Sequence, residues 1–107
     1  MKFQALEISL DAIRSLGKVY ARIKAHDPDL ARQLRRALSS VPLNLSEGSR
    51  RVGKDRMHHF RVAAGSCAEA LTCLRVAEAW GAVPREDLSR PIELLDRVLA
   101  ILWKLTH

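Results

Sequence analysis

Between residues 39 and 51 the chain reads Ser-Ser-Val-Pro-Leu-Asn-Leu-Ser-Glu-Gly-Ser-Arg-Arg, which sets a proline and an asparagine inside an apolar pattern of helical period. Pro42 has no amide hydrogen for the carbonyl of Leu38, so a helix here either kinks or finds that carbonyl another donor. Asn44, if buried without partners, would cost about 1 to 3 kcal/mol. The segment therefore calls for a helix with a polar patch along one flank, and Ser40, Asn44 and Glu47 fall on that flank. Past Gly48 it runs straight into Arg50 and Arg51, so the polar flank leads into a basic turn.

The surrounding chain is helical in pattern throughout. Leu6, Leu10, Ile13, Leu16, Tyr20 and Ile23 recur at steps of three and four, which predicts a first helix from about Gln4 to about Ala25. Its far side carries Arg14, Lys18 and Arg22, a ridge of like charge that reads as solvated. Asp27 before Pro28 is a start signal, a capping oxygen followed by a residue whose fixed φ suits a first turn. The second helix then buries Leu30, Leu34, Leu38, Val41 and Leu45, with Gly48 as the expected left-handed terminator.

Ser49 to Lys54 has no apolar period and predicts an exposed basic loop. A third helix is expected from about Asp55 to Trp80, closed by Gly81, roughly 39 Å long at 1.5 Å per residue. It carries two stripes. Phe60, Ala64, Cys67, Leu71 and Leu74 form one; Val62, Ser66, Glu69, Cys73, Val76 and Trp80 form the other. A lone bundle buries only one of these, so the second is either an interface with another subunit or a set of scattered surface apolar residues. A fourth helix follows the turn at Pro84 to Asp87, led by Leu88, Ile92, Leu95, Leu99 and Leu102, with Pro91 in its first turns and an apolar arc widened by Leu94, Val98, Ile101 and Leu105. Four helices on short loops predict an all-α fold, an up-and-down antiparallel four-helix bundle occupying residues 1–107 as one domain.

The net charge of +6 is concentrated: Arg32, Arg35, Arg36, Arg50, Arg51, Lys54, Arg56 and Arg61 face only Glu47 and Asp55 between residues 32 and 61. Guanidinium forks match phosphate oxygens, so these eight are the candidate nucleic-acid contacts. Solvated arginines, salt bridges between subunits or an acidic protein partner are the competing readings. Aromatics are few, and Phe60 alone lies within the cluster, at a core spacing, so binding by charge and shape with little sequence preference is expected.

Ser40, Asn44 and Glu47 on the second helix and Ser66 and Glu69 on the third are expected to meet as a buried hydrogen-bond network. Paired catalysis by Glu47 and Glu69 would need a cleft and a nucleophile or metal for which the sequence has no sign. His58 and His59 are adjacent and diverge by about 100° on a helix, so they do not form a metal pair and read as an extension of the basic surface. No phosphate-cradling glycine loop, nucleophile elbow or metal motif is present, and neither an enzyme nor a cofactor is expected. Cys67 and Cys73 lie about 9 Å apart along one helix on divergent azimuths and cannot bridge each other. No secretory leader or membrane-spanning run is seen, which points to the cytoplasm.

Gln33-Leu34-Arg35-Arg36-Ala37 followed by Ser40-Val41-Pro42-Leu43-Asn44-Leu45-Ser46-Glu47-Gly48 resembles the four helix bundle protein family, many of whose members are encoded in intervening sequences of bacterial 23S ribosomal RNA genes. Phe60-Arg61-Val62-Ala63-Ala64-Gly65-Ser66-Cys67-Ala68-Glu69-Ala70 is similar to that family's second block. The chain departs from the commoner wording at Leu43 and Ser46, where small residues are usual, and in ending at His107. The resemblance implies a small bundle assembled into a closed ring, typically a homopentamer, that binds nucleic acid or a nucleic-acid enzyme. A more distant likeness is to the accessory variability protein of diversity-generating retroelements, a basic pentameric bundle that binds a reverse transcriptase. Two functions are thus expected as alternatives: a basic oligomer that binds RNA or DNA, or a scaffold that docks a partner enzyme such as a reverse transcriptase.

Overall fold

The Asp27 carboxylate accepts a hydrogen bond from the Leu30 amide at 3.1 Å, and Pro28 occupies the first helical position behind it. Capping of this kind stabilises a helix start by about 1 kcal/mol. In the computed structural model, which describes residues 3–107, the chain is all helical. The helices are α1 (Gln4–Arg14), α2 (Gly17–His26), α3 (Pro28–Ser49), α4 (Gly53–Ala79) and α5 (Ser89–Thr106), with a 3₁₀ turn at Arg85–Leu88 before α5.

Five α-helices therefore stand where the apolar pattern predicts four. The expected first helix breaks at Ser15 and Leu16. The Ser15 hydroxyl donates to the Ala12 carbonyl at 2.7 Å, and the Leu16 amide bonds three residues back to Ile13 at 3.1 Å. A serine hydroxyl competing for helix carbonyls, followed by the poor helix former Gly17, tightens the turn while Leu16 stays buried. The cationic ridge is divided with it: Arg14 on α1 pairs with Asp11 at 2.7 Å, and Arg22 on α2 reaches Asp87 at 2.7 Å.

α3 packs chiefly against α4, α1 fits between α3 and α5, and α2 lies along α3. Ser40 meets Ser66 and Asn44 meets His59, so residue numbers rise on one helix as they fall on the other, and α3 and α4 are antiparallel. Ala5, Ile8, Leu16, Ile23, Leu34, Val41, Leu45, Leu74, Leu95 and Leu102 belong to one hydrophobic cluster that draws on every helix. Burying each large aliphatic side chain contributes about 1.5 to 3 kcal/mol.

Pro42 is buried inside an unbroken α3. Gly48 does not terminate that helix in a left-handed conformation: it is helical and buried, and the positive-φ residues are Gly53 (58°) and Gly81 (80°). Its role is close packing, since a Cβ there would lie 2.6 Å from Cε1 of Phe60. Cys67 and Cys73 are free and buried. Among the described residues no helix is long and apolar enough to cross a membrane.

Candidate nucleic-acid interface

The α3–α4 hairpin holds all eight cations of the basic stretch, but helical geometry sorts them into different tasks. Arg56 is structural: its Nε donates to the Gly48 carbonyl at 3.2 Å and its guanidinium to the Ser49 carbonyl at 3.4 Å, closing the C-terminus of α3 from the first turns of α4. Carbonyls at a helix end have no partner of their own and carry partial negative charge, which a guanidinium satisfies. Arg51 folds back on Glu47 at 2.9 Å, with Asp55 further off at 3.9 Å, and Arg32 pairs with Asp29.

Arg35, Arg36, Arg50, Lys54 and Arg61 are exposed and make no ion pair among the described residues. Arg35 turns toward α1 and α2, where it lines a groove of about 300 Å³ with Ile13, Leu16, Gly17, Tyr20, Leu38 and Ser39. Arg36, Leu43 and Arg50 recur at seven-residue spacing, two helical turns, and share one outward stripe of α3. Lys54 and Arg61 share an outward stripe of α4 by the same spacing, on the side of that helix turned away from α3. The hairpin thus displays two cationic stripes, with the exposed side chain of Leu43 between the arginines of the first.

Where α3 meets α4 runs a polar seam. The Ser66 hydroxyl donates to the Ser40 hydroxyl at 2.8 Å, the Asn44 amide donates to the Ser40 hydroxyl at 3.1 Å and carbonyl at 3.0 Å, and Asn44 Oδ1 lies 3.0 Å from His59 Nδ1. These groups are half-buried. Two of the five residues expected here lie elsewhere. Glu47 is engaged by Arg51, and Glu69, three residues beyond Ser66, is rotated out of the seam into solvent, where a carboxylate avoids desolvation. Nor does Asn44 serve the carbonyl of Leu38 that Pro42 frees. His59 is the member that the pattern conceals. It precedes Ser66 by two turns and so shares its face, whereas reading it with His58 as surface charge separates it from that face. His58 is exposed.

On the second stripe of α4, Cys73 is buried, Val62 and Ser66 are half-buried, and Glu69, Val76 and Trp80 are exposed. An unexpected aromatic surface lies at the end of α5, where Trp103 is 60% exposed and stacks on His107 with ring centroids 3.4 Å apart.

Compared with known proteins, residues 2–104 match the profile of the family described as 23S rRNA-intervening sequence protein. The chain belongs to this family. A solved structure with the same fold is a protein of unknown function from the S23 ribosomal protein family of Bacteroides thetaiotaomicron, with a TM-score of 0.81 and 16% identity, covering 95% of this chain and 97% of that one. No curated protein matches the chain in sequence. In this intervening-sequence protein, Asn44 and Gly48 of the Pro42 to Gly48 block meet His59 and Phe60 of α4. The block's side chains shape the hairpin that displays the arginines.

Proposed function

We propose that this intervening-sequence protein is a non-enzymatic, cytoplasmic, oligomeric bundle that binds RNA or DNA through phosphate contacts with little sequence preference. The carrying observation is that Arg36, Arg50, Lys54 and Arg61 stand exposed on one hairpin and make no ion pair among the described residues, while Arg51 is engaged by Glu47 and Arg56 by the end of α3. Phosphates neutralised by such cations release counterions, which drives binding regardless of base sequence. The family's description, which ties it to ribosomal RNA genes, favours RNA as the polyanion. On this reading α1 and α2 act as one bent rod, making the chain an up-and-down antiparallel four-helix bundle. Exposed Val76 and Trp80 are then covered by further copies in a ring, a pentamer by the family resemblance, and a ring multiplies weak contacts.

A second reading is favoured by Trp80, 71% exposed at the end of α4. An indole so placed is a ready anchor for a protein partner, and the chain would then be a scaffold for an enzyme such as a reverse transcriptase.

Fluorescence anisotropy of the protein with a structured RNA and a matched DNA duplex, titrated over salt concentration, separates the two. Nucleic-acid binding predicts a log-log salt slope of several units that falls by about two in Arg36→Glu/Arg50→Glu. Absence of binding near physiological salt overturns it and leaves the scaffold.

A further inference from the structure

The Cys67 thiol meets the Leu95 carbonyl at 3.2 Å, which sets the register of α4 against α5. The short connection through the 3₁₀ turn makes the two helices antiparallel. Eight residues back on α4 and eight forward on α5 therefore reach the same height of the bundle, and Trp103 lies level with His59, Phe60 and Arg61. Azimuth agrees. Trp103 follows Asp96 by two turns and shares its flank of α5, and the Asp96 carboxylate is near enough to Cys67 to help hold its thiol protonated. Arg61 and Lys54 stand on the outer stripe of α4 at the same end.

The basic stretch carries no exposed aromatic of its own, but the fold brings one beside it from more than forty residues away in sequence. His107 covers one face of the indole, and the stack holds the ring in place while leaving it largely open. Cations alone hold single and double strands alike. An indole discriminates, because every unpaired base offers a π-face and a base within a duplex does not.

We propose that Trp103, backed by His107, is a stacking platform for an unpaired nucleobase, with Arg61 and Lys54 holding the neighbouring phosphates. This rests on the nucleic-acid reading above and narrows its ligand to strands with unpaired bases.

The test uses the Trp80→Phe protein, in which Trp103 is the remaining tryptophan, titrated with a short oligothymidine strand and a duplex of equal length while indole fluorescence and anisotropy are followed. Binding of the strand quenches Trp103. Trp103→Ala weakens the strand about tenfold and leaves the duplex unchanged, whereas Trp103→Phe retains most of the strand affinity. Sedimentation and melting curves accompany each variant. Salt-dependent duplex binding with no quenching by the strand, or with equal losses on both probes in Trp103→Ala, overturns the platform alone. So does a change of sedimentation coefficient in that variant accompanied by equal losses, which would assign the indole to contact between copies. Failure of both probes to bind overturns the platform and the nucleic-acid reading together.

Discussion

Gly48 and Phe60 are in closer contact than any other side chain at position 48 would allow: a Cβ there would lie 2.6 Å from Cε1 and 2.7 Å from Cδ1 of the ring. Phe60 is itself buried and backed by Phe3, with ring centroids 5.8 Å apart, so it has little room to retreat. The first turns of α4 are seated on the last turn of α3 through this contact, which also sets the height at which Arg56 reaches the end of α3.

Gly48→Ala is accordingly expected to destabilise the protein by about 1 to 3 kcal/mol, although alanine is the better helix former by about 1 kcal/mol. Urea denaturation reads the change. Phe60→Leu, destabilising on its own, should cost less in the Gly48→Ala background than in the native chain, because the smaller side chain relieves the clash. Additive losses would place the crowding elsewhere.

Asn44→Ala should lower stability by about 1 kcal/mol, because it strips Ser40 and His59 of a partner in a half-buried seam. A double-mutant cycle with His59→Ala should show coupling of about 0.5 kcal/mol or more. The same cycle with Glu69→Ala should show none, since that carboxylate faces solvent.

The Cys67 thiol is pushed up to about 12, first by burial and then by the nearby Asp96 carboxylate. Above its ordinary value of 9.0 the unfolded chain releases this proton and the native state keeps it. Stability is therefore whole below pH 9 and declines toward pH 12. Relative to Cys67→Ala, the native protein should lose stability faster over that range, by about 1.4 kcal/mol per pH unit at the steepest. Superimposable pH curves for the two proteins would contradict the burial. Burial of Cys73 acts in the same direction in both proteins and leaves the comparison intact.

The arginines should separate by task. Arg56→Ala removes a donor from the end of α3 and should cost about 0.5 to 1.5 kcal/mol, whereas Arg50→Ala should stay within about 0.5 kcal/mol in the same melting experiment. Salt-dependent binding should show the reverse order, with Arg50→Ala the more damaging.

Much of the hairpin was legible in residue order. The Asp27–Pro28 start, the apolar stripe from Leu30 to Leu45 and the closure at Gly81 are local devices, decided by capping oxygens, fixed φ and the 3.6-residue period, and the structure keeps them. The break at Ser15 was not legible, because the apolar period continues across it and the competing hydroxyl acts only through hydrogen-bond geometry. The polar seam was half legible: Ser40, Asn44 and Ser66 sit on the facing flanks, but a difference of three residues carries Glu69 outward while a difference of seven brings His59 in.

By itself the sequence determined an all-helical chain, the place of its charge and its family, since these follow from spacing along one strand of residues. Only the tertiary structure decided which cations are spent on helix ends and acids, that Gly48 serves packing, and that Trp103 stands level with Arg61. Those outcomes depend on the register between helices. Register is set by contacts such as Phe60 against Gly48 and Cys67 against Leu95, which join residues that no local period relates.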